Sequence, residues 1–190
     1  MSIIPYNRIN PLGFTRIFLV GLLAVSLSGC FSIKQGASKG GKSLYATFYT
    51  EDGLQYFLKP MSFKSDNNEE LLIDFTFRNV DIKTDSATVN FTITGTQLIK
   101  SIEDIRIAAD ASVEAVGVNP KLLFNEKKPK GYSSRFTTKF SLYELSQALN
   151  QNTCIIISHK QNTYTYKAEK KTKKSIESLN DVVFSLIFND

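Results

Sequence analysis

The feature that most constrains this chain is the apolar run from Ile17 to Cys30, IFLVGLLAVSLSGC, because it sets the compartment in which everything after it must fold. Arg8 and Arg16 precede the run, no acidic residue occurs before Glu51, and the run closes on the small residues Ser26, Ser28 and Gly29. A basic lead, an apolar core and small residues at the exit are the anatomy of a signal peptide. The core from Ile17 to Leu27 measures about 16 Å as a helix, against about 30 Å of hydrocarbon in a bilayer. A permanent spanning helix is therefore the weaker reading.

The run ends on Leu27-Ser28-Gly29-Cys30, which resembles the lipobox of bacterial lipoproteins. The resemblance covers residues 1–30 and implies cleavage before Cys30 and acylation of that cysteine, palmitate included. More than one buried acyl chain holds a protein stably, since each buried methylene contributes about 0.8 kcal/mol. In that family an aspartate after the cysteine directs the protein to the inner membrane. Phe31 stands there instead, so the resemblance implies lipid anchoring to the outer membrane, facing the periplasm.

Without residues 1–29 the chain keeps 21 basic and 18 acidic side chains, a formal net charge of +3. That is too mild for a nucleic-acid binder. The remaining length, with 42% hydrophobic and 12% aromatic residues, suits one folded domain, residues 44–190, behind a tether at 30–43. The only cysteines are Cys30 and Cys154, so an acylated Cys30 leaves Cys154 without a disulfide partner. Cys154 opens the run CIIIS and reads as a small buried residue of a strand. His159, the only histidine, heads a polar turn and reads as solvated. One cysteine and one histidine do not make a zinc site, and neither metal nor cofactor is expected.

Residues 31–43, FSIKQGASKGGKS, read as a flexible tether whose lysines attract anionic headgroups. Within it, Gly36 to Ser43 satisfies the G-x-x-x-x-G-K-S pattern of a phosphate-binding loop. Such a loop must follow a buried strand and open a helix, whereas here an anchor precedes it and a strand-like segment follows. No nucleotide is expected.

LYATFYT, Glu51-Asp52-Gly53 and LQYFL predict a hairpin with Gly53 at the left-handed position, ended by Pro60. Leu71, Ile73, Phe75 and Phe77 alternate with Leu72, Asp74, Thr76 and Arg78, and Ala87 to Thr94 repeats the pattern. This predicts an antiparallel pair with one solvated face, half of a sandwich. Asn90-Phe91-Thr92 matches a glycosylation sequon, but its polar residues already belong to that face. Residues 97–118 leave helix and strand open, with strands preferred near Ile105 and at 113–118. Leu122 to Phe124 predicts a short strand before a lysine-rich loop at 125–131, and Ser134 to Leu142 another strand. Ser141-Leu142-Tyr143-Glu144 fits a capping box opening a short helix. Cys154–Ser158 and Tyr164–Lys167 predict a last hairpin.

Ile176, Leu179, Val182, Val183, Leu186 and Ile187 share one face of a C-terminal amphipathic helix. The expected fold is therefore mainly β (α+β), an antiparallel sandwich-like domain with one short helix and a C-terminal helix. No catalytic constellation emerges, so the expectation is a non-catalytic envelope lipoprotein that binds another envelope protein, with Cys30 its lipidation site. The candidate contact surface is Tyr45, Tyr49, Tyr56, Phe57, Phe184 and Phe188. An alternative is a lipid or small-ligand carrier with an apolar cavity between sheet and C-terminal helix. An enzyme would need Cys154 and His159 to converge.

Overall fold

The structure, a computed structural model, describes residues 34–35, 44–51, 53–79, 86–110 and 113–188. The expectations for the signal peptide, Cys30 and the phosphate-loop match fall outside the described residues.

The strands are β1 (Lys34–Gln35), β2 (Tyr45–Thr50), β3 (Gly53–Leu58), β4 (Met61–Ser65), β5 (Glu70–Asn79) and β6 (Ser86–Gly95), followed by β7 (Asp104–Asp110), β8 (Val113–Val116), β9 (Val118–Lys128), β10 (Gly131–Ser141), β11 (Cys154–His159) and β12 (Asn162–Ala168). All pair antiparallel in one sheet, so the domain is β-rich with an added helical part, as its alternating segments predict. The two halves expected of a sandwich are joined into this single sheet, and β5 is where it branches. Along one edge β5 pairs with β6, which leads to β10 and β9. Along the other edge its first half pairs with β4, which leads through β12, β11 and β7 to β8.

Both branches end on one continuous piece of chain, because only Gly117 separates β8 from β9. The sheet thus nearly closes into a barrel. The Gly117 N–H donates to the Ile105 carbonyl at 2.9 Å, and the Thr138 hydroxyl to the Val118 carbonyl at 2.9 Å. These two bonds satisfy backbone groups at the bend, where ladder pairing changes partner.

β3 and β4 form the second such device. Phe57 opposes Thr76 and Met61 opposes Ile73, so three residues face two across the gap. This is a bulge at Leu58-Lys59-Pro60, where proline's missing N–H costs no ladder bond. Beyond it the outer edge passes from β2 to β12, and the hairpin β2–β3 leaves the barrel as a flap.

Alternation fills the barrel. Phe63, Ile73, Phe91, Ile105, Phe136 and Ile157 are all buried, and the rings of Phe91 and Phe136 stack at 5.4 Å. Burying each such side chain contributes about 1.5–3 kcal/mol. Outside the same strands, Arg135 bonds Asp74 at 2.7 Å and Thr92 at 2.9 Å, and Asn90 bonds Asp74 at 3.0 Å. The sequon's asparagine and threonine are thus committed to a cross-strand network on the polar face.

Helix α1 (Leu142–Ala148) begins where predicted, with the Ser141 hydroxyl accepting from the Glu144 N–H. It lays Leu142, Leu145 and Ala148 against β7 and β8, at the end of the barrel where β10 runs out. Helix α2 (Lys170–Leu179) packs on β4 and β12, with the Thr172 hydroxyl donating to the Ser62 carbonyl. A π-turn (Asn180–Phe184) and a last turn, α3 (Ser185–Phe188), follow. The π-turn corrects the predicted apolar face. Its wider turn shifts the apolar face within it and beyond it, so Phe184 joins Val183 in the core while Val182 and Leu186 are exposed.

Candidate functional site

Four of the six aromatic residues singled out as a contact surface belong to one chain of rings. Tyr45 lies 5.7 Å from Tyr56, Tyr56 stacks on Phe77 at 5.1 Å, Phe77 meets Phe184 at 6.3 Å, Phe184 meets Phe188 at 6.2 Å, and Phe188 reaches Tyr143 at 6.0 Å. The flap and the C-terminal turn, read separately in the sequence, are thereby joined through β5. Tyr56 and Phe184 are buried, so they act as packing that holds the C-terminal turn to the flap, and burial pushes the Tyr56 phenol above its ordinary value. Phe188 and Tyr143 emerge at the surface. Tyr49 and Phe57 are exposed on the flap: Tyr49 shares the face of Tyr45 and Tyr56, whereas Phe57 lies on the other face and meets Phe48 edge-on at 5.1 Å. Between sheet and C-terminal helix the space expected of a carrier holds the buried side chains of Ile176, Leu179, Val183 and Phe184.

The catalytic alternative meets a geometric obstacle. β11 alternates Ile155, Ile157 and His159 inward against Cys154, Ile156 and Ser158, so an offset of five residues puts Cys154 and His159 on opposite faces of the sheet. His159 is buried, not solvated as its polar neighbours predicted. The reason is the turn. Lys160 and Gln161 both take positive φ, 48° and 63°, and make a two-residue connection that leaves His159 inside the strand's alternation. Cys154 is half-buried, and desolvation is the main reason its thiol is pushed above the ordinary value, which keeps it protonated near neutral pH.

The feature that sequence reasoning missed is β9. In place of a three-residue strand and a basic loop, residues Val118–Lys128 form one strand of 11 residues. It pairs with β10 along one edge, and among the described residues no strand lies along the other. Apart from the half-buried Pro120 it is exposed on both faces, with Val118, Leu122, Leu123 and Phe124 contributing apolar surface and Glu126 pairing with Lys128 at 2.6 Å. With both faces in solvent the apolar residues have no period of 2 to announce a strand. The signal that was available is Leu122-Leu123-Phe124 itself, three consecutive apolar residues between Lys121 and Asn125.

A second structure-built feature lies at the barrel end opposite α1, where the ends of β6 and β9 and the starts of β5 and β10 surround a hollow of about 520 Å³. Among its lining residues is Glu69, whose Oε2 accepts from the buried Tyr166 hydroxyl at 3.3 Å. Desolvation first, and the Glu69 carboxylate second, push the Tyr166 phenol above the ordinary range.

Compared with known proteins, the chain matches no family model, no curated protein and no solved structure. Among the described residues no helix is long and apolar enough to cross a membrane.

Proposed function

We propose that this protein is a non-catalytic lipoprotein of the cell envelope, held to the outer membrane through acylated Cys30, whose barrel domain binds another envelope protein along β9. The observation that carries the binding reading is the open edge of β9. A strand with one edge unpaired offers a row of backbone donors and acceptors to an incoming extended segment. Leu122, Leu123 and Phe124 supply apolar contacts beside that row. The anchor rests on Leu27-Ser28-Gly29-Cys30, and the segment expected as a free tether is itself tied to the domain at Lys34–Gln35, which pairs with β2 opposite Thr47 and Ala46.

A photo-crosslinking residue placed at Leu123 in the full chain, expressed in its native envelope, tests the reading. A discrete protein adduct at position 123 is expected, absent when the same probe replaces Tyr164 and reduced by Cys30→Ala. Equal adducts from both positions, or none from position 123, would overturn it.

A further inference from the structure

The hollow at the barrel mouth is built by two glycines. Gly131 has φ of 147°, and a Cβ there would collide with the Gly95 carbonyl oxygen. A Cβ on Gly95 would lie 2.7 Å from Glu69 Oε1. Bare backbone at both positions therefore lets the start of β10 close on the end of β6 and lets the Glu69 carboxylate lie across that junction. Tyr166 fixes one carboxylate oxygen from inside the barrel, and Oε1 has no donor among the described residues.

The chemistry of the wall is selective. None of its described lining residues is aliphatic. Asn67, Asn68 and Gln97 bring amides that each present donors and an acceptor, and Tyr132 and Tyr164 bring flat rings with hydroxyl tips. Of the two lysines, Lys128 is held by Glu126, whereas Lys130, in the turn between β9 and β10, has no acidic partner among the described residues.

We infer that this hollow is a binding site for a small acidic sugar, a polyhydroxylated ring carrying one carboxylate. The amides both donate to and accept from ligand hydroxyls, the Glu69 carboxylate accepts from them, and the tyrosine rings offer the C–H face of a pyranose an apolar plane. The Lys130 ammonium provides a charge-assisted hydrogen bond for the one acidic group. A hollow of about 520 Å³ falls within the range of small-molecule sites, and its wall mixes polar and apolar surface, as a ring with hydroxyl edges and a C–H face requires. The site does not rest on the open edge of β9.

Titration calorimetry on the full chain in detergent tests the inference, with a glucuronate-containing disaccharide and the same disaccharide bearing glucose as probes. The acidic probe is expected to bind, the neutral one about tenfold more weakly. Lys130→Met is expected to remove that difference, and Gln97→Ala to weaken both probes, each variant keeping the parent's circular dichroism because Lys130 and Gln97 are exposed. Absence of binding by the acidic probe at millimolar concentration, equal affinity for both probes, or an unaltered Lys130→Met would overturn it. Phe124→Lys, which alters β9 alone, is expected to leave sugar binding intact, so failure of this site and failure of the β9 reading register separately.

Discussion

Gly117 donates its N–H to the Ile105 carbonyl at 2.9 Å, and a Cβ at Gly117 would stand 2.6 Å from Ile105 Cγ2 and 3.0 Å from Phe140 Cζ. Ile105 and Phe140 are both buried and unable to retreat. The bend that carries the chain from β8 to β9 thus tolerates no side chain. Gly117→Ala is expected to lower stability by about 1–3 kcal/mol, as overpacking of a filled core does, read as a shift in the urea midpoint at unchanged m-value.

Tyr166 predicts an alkaline limit. Its phenol has a raised pKa in the folded state, so above about pH 10, where the unfolded chain's tyrosines ionise, the folded state holds more protons and stability falls as pH rises. Below that pH the contribution is fully present. The slope from one such group is at most about 1.4 kcal/mol per pH unit. Tyr166→Phe is expected to flatten the decline above pH 10 in chemical denaturation, while an unchanged slope would remove Tyr166 as its source.

Cys154 predicts a slow thiol. Because desolvation raises its pKa, its thiolate fraction stays small through neutral pH and grows only on the alkaline side. Reaction with a disulfide reagent is expected to be slower than for a free cysteine at pH 7.5 and to accelerate as pH rises past the ordinary thiol value. Urea unfolding is expected to abolish the difference.

The two faces of Phe chemistry separate core from surface. Phe91→Ala, in the barrel interior, is expected to cost about 3–5 kcal/mol. Phe124→Lys, on exposed β9, is expected to change stability by less than about 0.5 kcal/mol. Comparable losses in thermal unfolding would mean that β9 is packed in solution and not open.

Where a segment had one wet and one dry side, its local structure was legible: β5 and β6 by alternation, α1 by the Ser141 cap, the flap by Gly53, whose φ of 111° is positive as predicted. Three things were not. β9 has no dry side, so Leu122 to Phe124 carried no period. The closure depends on Gly117 fitting under Ile105 and Phe140, partners distant or unremarkable in sequence. The C-terminal face drifted because Asn180–Phe184 forms a π-turn, which no apolar spacing announces. The barrel-mouth hollow likewise joins Asn67, Gln97, Lys130 and Tyr164, four segments that only the closed sheet brings together.

The bulge at Lys59-Pro60 also fixes the order in which the domain is completed. It frees the outer edge of β4 from β2, and that edge is taken by β12, with Phe63 opposite Ala168, about a hundred residues later in the chain. Loop closure over such a separation is slow, so a growing chain carries that edge of β4 unpaired until β12 has been made. Chains truncated before β12 are then expected to stay open at β4 and to aggregate there, and refolding of the whole domain is expected on the millisecond-to-second scale of barrels rather than that of helical bundles.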